Sequence, residues 1–426
     1  MNQRLIEFYN KLKTGVLRTF SANVINKAVG LISSMAITRI LSTTEYGVWS
    51  YVLNLYSYLA MITGFGLISG VLQFGAENKG EGKAYSFFKY CTKTGLLLDF
   101  IIVTVFASIV VAIQLPIEGA KPFVLVFLPI LLVEYANSIG QCILRAQNKI
   151  KEYANVLNVN TILVAVGTCC GALFGLRGVV VGRYFAYSLS IIYLISLLKN
   201  DIVKIVNADI LKNEEKKQLW HYSLFTGASS AMNCIMYSLD ITLIAALIRN
   251  AKDVAIYRAG TLIPNALQFI PSSVIVAVLP TIIYNRNELD WVKKNTKRIF
   301  GGLFVLNTFI VGVLFIASPL IIRIISGDKY LASVPVLRIL ALGYFCSGTF
   351  RSLSVNLLAA FRRVHFGLFI AAITCILDIS LNYYFIKWYG MIGAAYATLF
   401  VDVITAVISF GYVNHLLRKG TINEIN

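Results

Sequence analysis

Leu96-Leu-Leu-Asp99-Phe-Ile-Ile-Val-Thr-Val105-Phe-Ala-Ser-Ile-Val110-Val-Ala-Ile113 carries one charge, Asp99, in an otherwise apolar run. A helix that crosses a bilayer needs roughly 20 predominantly apolar residues. Extended back to Cys91, this run is long enough to cross, and similar runs recur to the end of the chain. The spans read from the sequence are roughly 16–41, 46–72, 91–113, 122–144, 154–175, 178–198, 222–248, 259–283, 299–325, 331–358, 364–387 and 391–416. Twelve such spans predict an all-α polytopic membrane protein.

Composition agrees. Of 426 residues, 58% are hydrophobic and 14% are charged, with a mean hydropathy of +0.73. A soluble domain carries roughly 25% charged residues. Twelve spans use most of the apolar residues, so no sizeable soluble domain is expected. Met1 to Gly15 is polar and basic, and the first apolar run leads into further spans, so no cleavable signal is expected.

The net charge of +18 would raise nucleic acid as a partner in a soluble protein. Here the basic residues lie in short loops between apolar runs, so the charge reads as topology, with no nucleic acid implied. With the N-terminus inside, 25 Lys and Arg fall in inner segments, among them Lys83, Lys149, Lys204, Lys293 and Arg362. Nine fall in outer loops or their edges, including Arg39, Lys121, Arg249 and Arg258. Four lie inside spans: Lys27, Arg183, Arg338 and Arg351. This bias predicts that both termini are cytoplasmic.

The longest inner loop falls at mid-chain and invites a search for two halves. Glu45-Tyr-Gly47-Val-Trp49 follows the first span, and Asp253-Val-Ala255-Ile-Tyr257 follows the seventh, 208 residues later. Gly175-Leu-Arg-Gly178 and Gly390-Met-Ile-Gly393 match at an offset of 215, each opening the last span of its half. The expected organisation is an N-terminal lobe over 1–200, a cytoplasmic linker over 201–221, and a C-terminal lobe over 222–426. Two six-helix lobes that enter the membrane the same way are related by an axis along its normal, with a pathway between them.

No catalytic constellation is found. His221, His365 and His415 are far apart and lack a ligand spacing, there is no P-loop, and the seven cysteines lie in or beside apolar runs. No metal site and no cofactor are expected. The outer loops are too short to hold the catalytic groups expected of a glycosyl polymerase. Charge inside spans is what remains: Lys27, Asp99, Glu134, Arg183, Asp240, Arg338, Arg351, Asp378 and Asp402. Each costs about 3 kcal/mol if it faces lipid, so each must line a cavity or pair internally. For the four acids other than Asp240, the plain reading is an internal ion pair. Cations at intermediate depth from both halves suit an anionic substrate, because guanidinium binds phosphate in a fork. Arg338 and Arg351 are 13 residues apart on one span and do not share a face. Asp240 reads either as a proton or sodium site or as the partner of a buried cation.

Leu41-Ser-Thr-Thr-Glu45-Tyr46-Gly47-Val-Trp49 and Gly64-Phe-Gly66-Leu-Ile-Ser-Gly70 resemble the segments after the first span of Wzx-type polysaccharide flippases. Asp240-Ile-Thr-Leu-Ile with Asp253 to Tyr257, Leu337-Arg338-Ile-Leu340-Ala-Leu, and Tyr389-Gly390-Met-Ile-Gly393-Ala394-Ala395-Tyr-Ala397-Thr-Leu resemble their later spans in order. These flippases belong to the multidrug/oligosaccharidyl-lipid/polysaccharide (MOP) exporter superfamily. The resemblance implies two six-helix lobes around a central cavity that alternates between inward and outward states in a bacterial inner membrane. It implies an undecaprenyl-pyrophosphate-linked oligosaccharide of O-antigen or capsule type as substrate. It also implies a polysaccharide polymerase and a chain-length regulator as partners. Lys27, Arg39, Arg183, Arg258, Arg338 and Arg351 are the substrate-binding candidates, and Asp240 is the coupling-ion candidate for proton or sodium. Three rivals stand beside this reading. A multidrug exporter of the same superfamily would want an acidic cavity. A lipid II flippase would carry two more spans. A glycosyl polymerase would be an enzyme.

Overall fold

The computed structural model describes residues 3–79, 82–285, 288–361 and 363–419, without the side chains of 3–20, 229–237, 364, 365 and 368. Arg286 and Arg362, and the side chains of Cys234 and His365, therefore lie outside the described residues.

Among the described residues the chain forms twelve helical rods. The first is α1 (Gln3–Ile40). The second is α2 (Thr43–Ile62) and α3 (Leu67–Glu77), with a break between them. Then come α4 (Gly82–Ala112), the pair α5 (Ala120–Phe127) and α6 (Ile130–Ala146), α7 (Ile150–Ala172) and α8 (Gly175–Val206). α9 (Asn213–Ile248) is followed by the pair α10 (Ala251–Leu267) and α11 (Phe269–Tyr284), then by α12 (Leu289–Ile325). A π-turn over Ser347–Arg351 joins α13 (Val334–Cys346) to α14 (Ser352–Ala360). α15 (Val364–Tyr389) and α16 (Met391–Lys419) complete the chain. Nine of the rods are long and apolar enough to cross a membrane. The other three are α1, α8 and α9. Of these, α9 qualifies only as a shorter apolar helix over Ser238–Ile248.

The chain divides into two compact units, Met1–Ser238 and Leu239–Asn426. The boundary between the units falls within α9. The first half of α9 belongs to the N-terminal unit because Leu219 packs into its core with Leu67, Val71, Phe88 and Tyr135. The C-terminal unit has its own core, with Ile282, Val292, Leu357, Leu358 and Val413 buried in it.

The break between α2 and α3 has a local cause. Gly64, Phe65 and Gly66 all adopt positive φ, at 55°, 46° and 79°. This conformation suits glycine and strains phenylalanine. Asp99, fully buried on α4, accepts the Gly64 N–H at 2.7 Å and so holds one of the backbone donors that the break frees. A Cβ on Gly66 would lie 2.1 Å from the Ser223 carbonyl, so α9 packs tightly against the break.

The repeat seen in the sequence is a repeat of helix signals. Ser42 and Glu45 form a capping box at the start of α2: the Ser42 hydroxyl accepts the Glu45 N–H at 3.2 Å, and Glu45 accepts the Ser42 N–H at 3.0 Å. At an offset of 208, Asn250 caps α10 by accepting the Lys252 N–H at 2.9 Å, with Asp253 in the place of Glu45. Gly175 and Gly390 take positive φ where α8 and α16 begin. Three residues on, Gly178 and Gly393 allow close approach to the preceding helix. A Cβ there would lie 2.1 Å from the Gly171 carbonyl and 2.0 Å from the Phe385 carbonyl.

Candidate functional site

Asp240, near the end of α9, sits among oxygen and amide groups of the C-terminal unit. The Tyr257 hydroxyl of α10 donates to its Oδ2, and the Thr398 hydroxyl of α16 donates to the same oxygen at 3.1 Å. Asn382 of α15 donates to Asp240 Oδ1 at 3.1 Å and to Asp378 Oδ1 at 3.0 Å, so one amide bridges two carboxylates. The Oδ1 of Asn382 is buried and has no donor among the described residues. Asp240 and Asp378 make no ion pair among the described residues, so the reading of Asp240 as the partner of a buried cation finds no such cation there. The acceptors brought together are carboxylate and hydroxyl oxygens, a set that suits a proton or a hard cation rather than a transition metal.

Arg351 and Asp402 border this cluster. Arg351, on the π-turn, donates to Asp402 Oδ1 of α16 at 2.9 Å. The pair is the internal ion pair expected of Asp402. Three aspartates and one arginine then share this part of the unit, and low-dielectric surroundings penalise the unmatched negative charge.

The N-terminal unit presents Arg183, half-buried on α8. Its guanidinium lies 5.0 Å from the ring centroid of Trp49 and 5.7 Å from that of Phe127, a cation–π placement against two adjoining rings. Its Nε donates to Thr168 at 3.3 Å. Glu134 on α6 completes the group, accepting from the Tyr56 hydroxyl and from the Tyr187 hydroxyl at 3.4 Å. The Trp49 and Phe127 rings meet edge to face at 5.1 Å, and Tyr56 meets Phe127 at 4.9 Å. Among the described residues the hydrogen bonds of Arg183 run from Nε alone.

The remaining candidates are placed separately. Lys27 is exposed on α1, Arg39 is exposed near its end, and Arg258 is half-buried on α10. Arg338 on α13 turns to α12. Its Nε reaches the Phe315 carbonyl at 3.1 Å and the Ser318 hydroxyl at 2.8 Å, and its guanidinium lies 5.2 Å from the Phe315 ring centroid. Arg338 and Arg351 thus face different helices from one rod.

Several of these neighbours were not singled out in the sequence. Asn382 lies one helical turn beyond Asp378, a spacing that could have linked them. Trp49 and Tyr257 stand in the quoted repeat but carried no assigned role there. Tyr56, Phe127 and Tyr187 gave no local signal.

Comparison with known proteins places this geometry in context. Residues 12–285 match the family described as polysaccharide biosynthesis protein. An uncharacterized membrane protein of Methanocaldococcus jannaschii, MJ1068, is 24% identical over 162 residues, 38% of this chain. The match spans 32% of that relative's own length. Among solved structures, the lipid II flippase MurJ in an inward closed conformation is similar with a TM-score of 0.76 at 17% identity, covering 96% of this chain and 90% of that one. An inward-facing multidrug resistance MATE family transporter of the MOP superfamily gives 0.69 at 12% identity, covering 95% and 98%. The MATE multidrug transporter DinF-BH gives 0.66 at 14% identity, covering 98% and 97%. At these identities the likeness is one of fold.

Proposed function

The chain belongs to the polysaccharide biosynthesis protein family, and on that premise we propose that it is a flippase for an undecaprenyl-pyrophosphate-linked oligosaccharide. The observation that carries the reading is the family match joined to a fold shared with a lipid II flippase over nearly the whole chain. Arg183, placed beside the adjoining rings of Trp49 and Phe127, is the residue we assign to the pyrophosphate. Lys27, Arg39, Arg258, Arg338 and Arg351 remain the further cationic candidates. Alternating access supplies movement without catalysis, so the protein is read as a transporter and not an enzyme. We place it in a bacterial inner membrane with both termini cytoplasmic, on the distribution of Lys and Arg. A polysaccharide polymerase and a chain-length regulator would act on what it delivers.

The Asp240 cluster is assigned to coupling. Two buried carboxylates that share one amide donor and no cation among the described residues are stabilised by a bound proton or sodium ion. Loading and unloading that cation would bias which state of the transporter is populated.

Deletion of the protein tests the assignment. Lipid-linked repeat units should accumulate on the cytoplasmic leaflet while surface polysaccharide disappears. Single repeat units displayed at the surface, with only chain length lost, would favour a polymerase. A second reading, multidrug export, draws on the fold shared with MATE transporters. Under it, deletion should sensitise cells to cationic drugs and leave the polysaccharide intact.

A further inference from the structure

The C-terminal unit holds a groove of about 390 Å³ between the end of α11 and the start of α12. Val278, Thr281 and Ile282 line it from α11, and Trp291, Asn295 and Arg298 line it from α12. The groove lies at the end of one rod and the start of the next, where the chain leaves the apolar layer. One wall is apolar: Ile282 is fully buried, and Val278 and Trp291 pack against the same core. The opposite end is basic. Arg298 is exposed and makes no ion pair or hydrogen bond among the described residues, and exposed Lys293, Lys294 and Lys297 flank it. The nearby acids Glu288 and Asp290 are exposed and make no ion pair with it. Asn295 spends its amide on the Trp291 carbonyl at 2.9 Å, which fixes the polar rim beside the ring.

An apolar wall ending in an unpaired guanidinium at headgroup depth is the shape of a phospholipid. Basic pockets between helices on the cytoplasmic side hold anionic headgroups, and guanidinium takes the phosphate by charge-assisted hydrogen bonds. A neutral or cationic occupant would leave Arg298 uncompensated beside three lysines. We propose that this groove binds an anionic phospholipid of the bilayer, with its phosphodiester on Arg298 and an acyl chain running away from the turn along Ala277 and Ile299. In the proposed orientation this end faces the cytoplasmic leaflet. The site is separate from the residues assigned to transport, so its failure would leave the flippase reading standing.

The test uses the purified full-length protein and native mass spectrometry, titrated with phosphatidylglycerol and, separately, phosphatidylcholine. Phosphatidylglycerol should be retained in preference. Arg298→Gln should weaken that retention about five-fold, the effect of one cation near a membrane surface. Arg298→Lys should keep most of it, and Lys252→Gln, at the other end of the unit, should leave it unchanged. Equal retention by Arg298→Gln and the native protein overturns the proposal. Equal losses in Arg298→Gln and Lys252→Gln overturn it too, because a diffuse positive field would then suffice. Complete displacement of the lipid by excess inorganic phosphate would mean that the groove reads free phosphate, and would also overturn it.

Discussion

Arg338 donates to the carbonyl of Phe315, the oxygen that Pro319 leaves without its helix donor. Proline has no N–H, so residue 319 cannot serve the carbonyl four residues earlier. The Ser318 hydroxyl donates to the same oxygen at 3.1 Å and accepts from Arg338 at 2.8 Å, which closes a small network over the missing helix bond. Arg338→Gln should therefore lower the amount of folded protein, by about 1 kcal/mol for a lost charged hydrogen bond at a half-open site. Pro319→Ala restores the helix donor, so adding it to Arg338→Gln should recover the loss in membrane abundance. A cation serving substrate alone would give normal abundance and lost transport, with no rescue from position 319.

Arg351 and Asp402 give a second stability prediction. Their side chains are 26% and 13% exposed, so the pair is largely withdrawn from solvent. Arg351→Gln leaves a carboxylate without its cation, and breaking such a pair costs about 3 kcal/mol. The variant should be depleted from the membrane. Arg351→Gln with Asp402→Asn removes both charges and should return most of the protein, as measured by immunoblot of membranes. Continued depletion of the double variant would show that Arg351 does more than neutralise Asp402.

What the sequence showed and what it hid divide along locality. The capping box at Ser42 and Glu45, its counterpart at Asn250 and Asp253, and the turns at Gly175 and Gly390 are local signals, readable within a few residues. They carried the repeat. The intramembrane charges were legible as well, because charge in lipid is costly whatever its partner. Their partners were not. Arg351 finds Asp402 51 residues away, and Asp240 finds Thr398 158 residues away. Those meetings depend on how rods pack, and a single sequence does not report it. The break at Gly64–Gly66 stood out as a motif, yet the groups that hold it, Asp99 and Ser223, come from α4 and α9.

A pH prediction rests on Asp201, at the end of α8 beyond its apolar stretch. Burial pushes this carboxyl up, but hydrogen bonds from Lys149, Gln147 and Tyr85 outweigh it and hold the group below the usual carboxylate range. A depressed folded-state value means that the stabilisation is present above the unfolded value near about 4 and is lost as pH falls through the folded one. The native protein should unfold at a higher temperature than Asp201→Asn at pH 7, by less than about 1 kcal/mol for one half-exposed lysine partner. The two should converge at a pH well below that of ordinary carboxylates. A constant gap across that range would show that the Asp201 charge is not what the variant removes.

Orientation is testable without transport. Reporter fusions after residues 118, 252 and 328 should be active outside, and fusions after 210 and 290 inside, because the basic residues concentrate in the second set of segments. An active outside reporter at 210 would reverse the topology and remove the basis for a parallel repeat.

The last prediction concerns coupling. Asp240 and Asp378 are bridged by Asn382, and Thr398 and Tyr257 complete the surround of Asp240. Asp240→Asn keeps the size and the hydrogen-bonding capacity of the group and removes one negative charge. If a proton or sodium ion loads here, this variant should accumulate in the membrane normally but transport should no longer respond to the ion gradient. Proteoliposomes loaded with lipid-linked oligosaccharide, with a sodium gradient or a pH gradient imposed separately, would measure the response and identify the ion. Thr398→Val removes one neutral oxygen and should weaken the dependence on a sodium ion more than the dependence on a proton, since a metal ion needs several oxygens and a proton needs one. Unchanged gradient dependence in Asp240→Asn would remove this cluster from the coupling mechanism. It would leave the aspartates as a polar network that orders α9, α15 and α16.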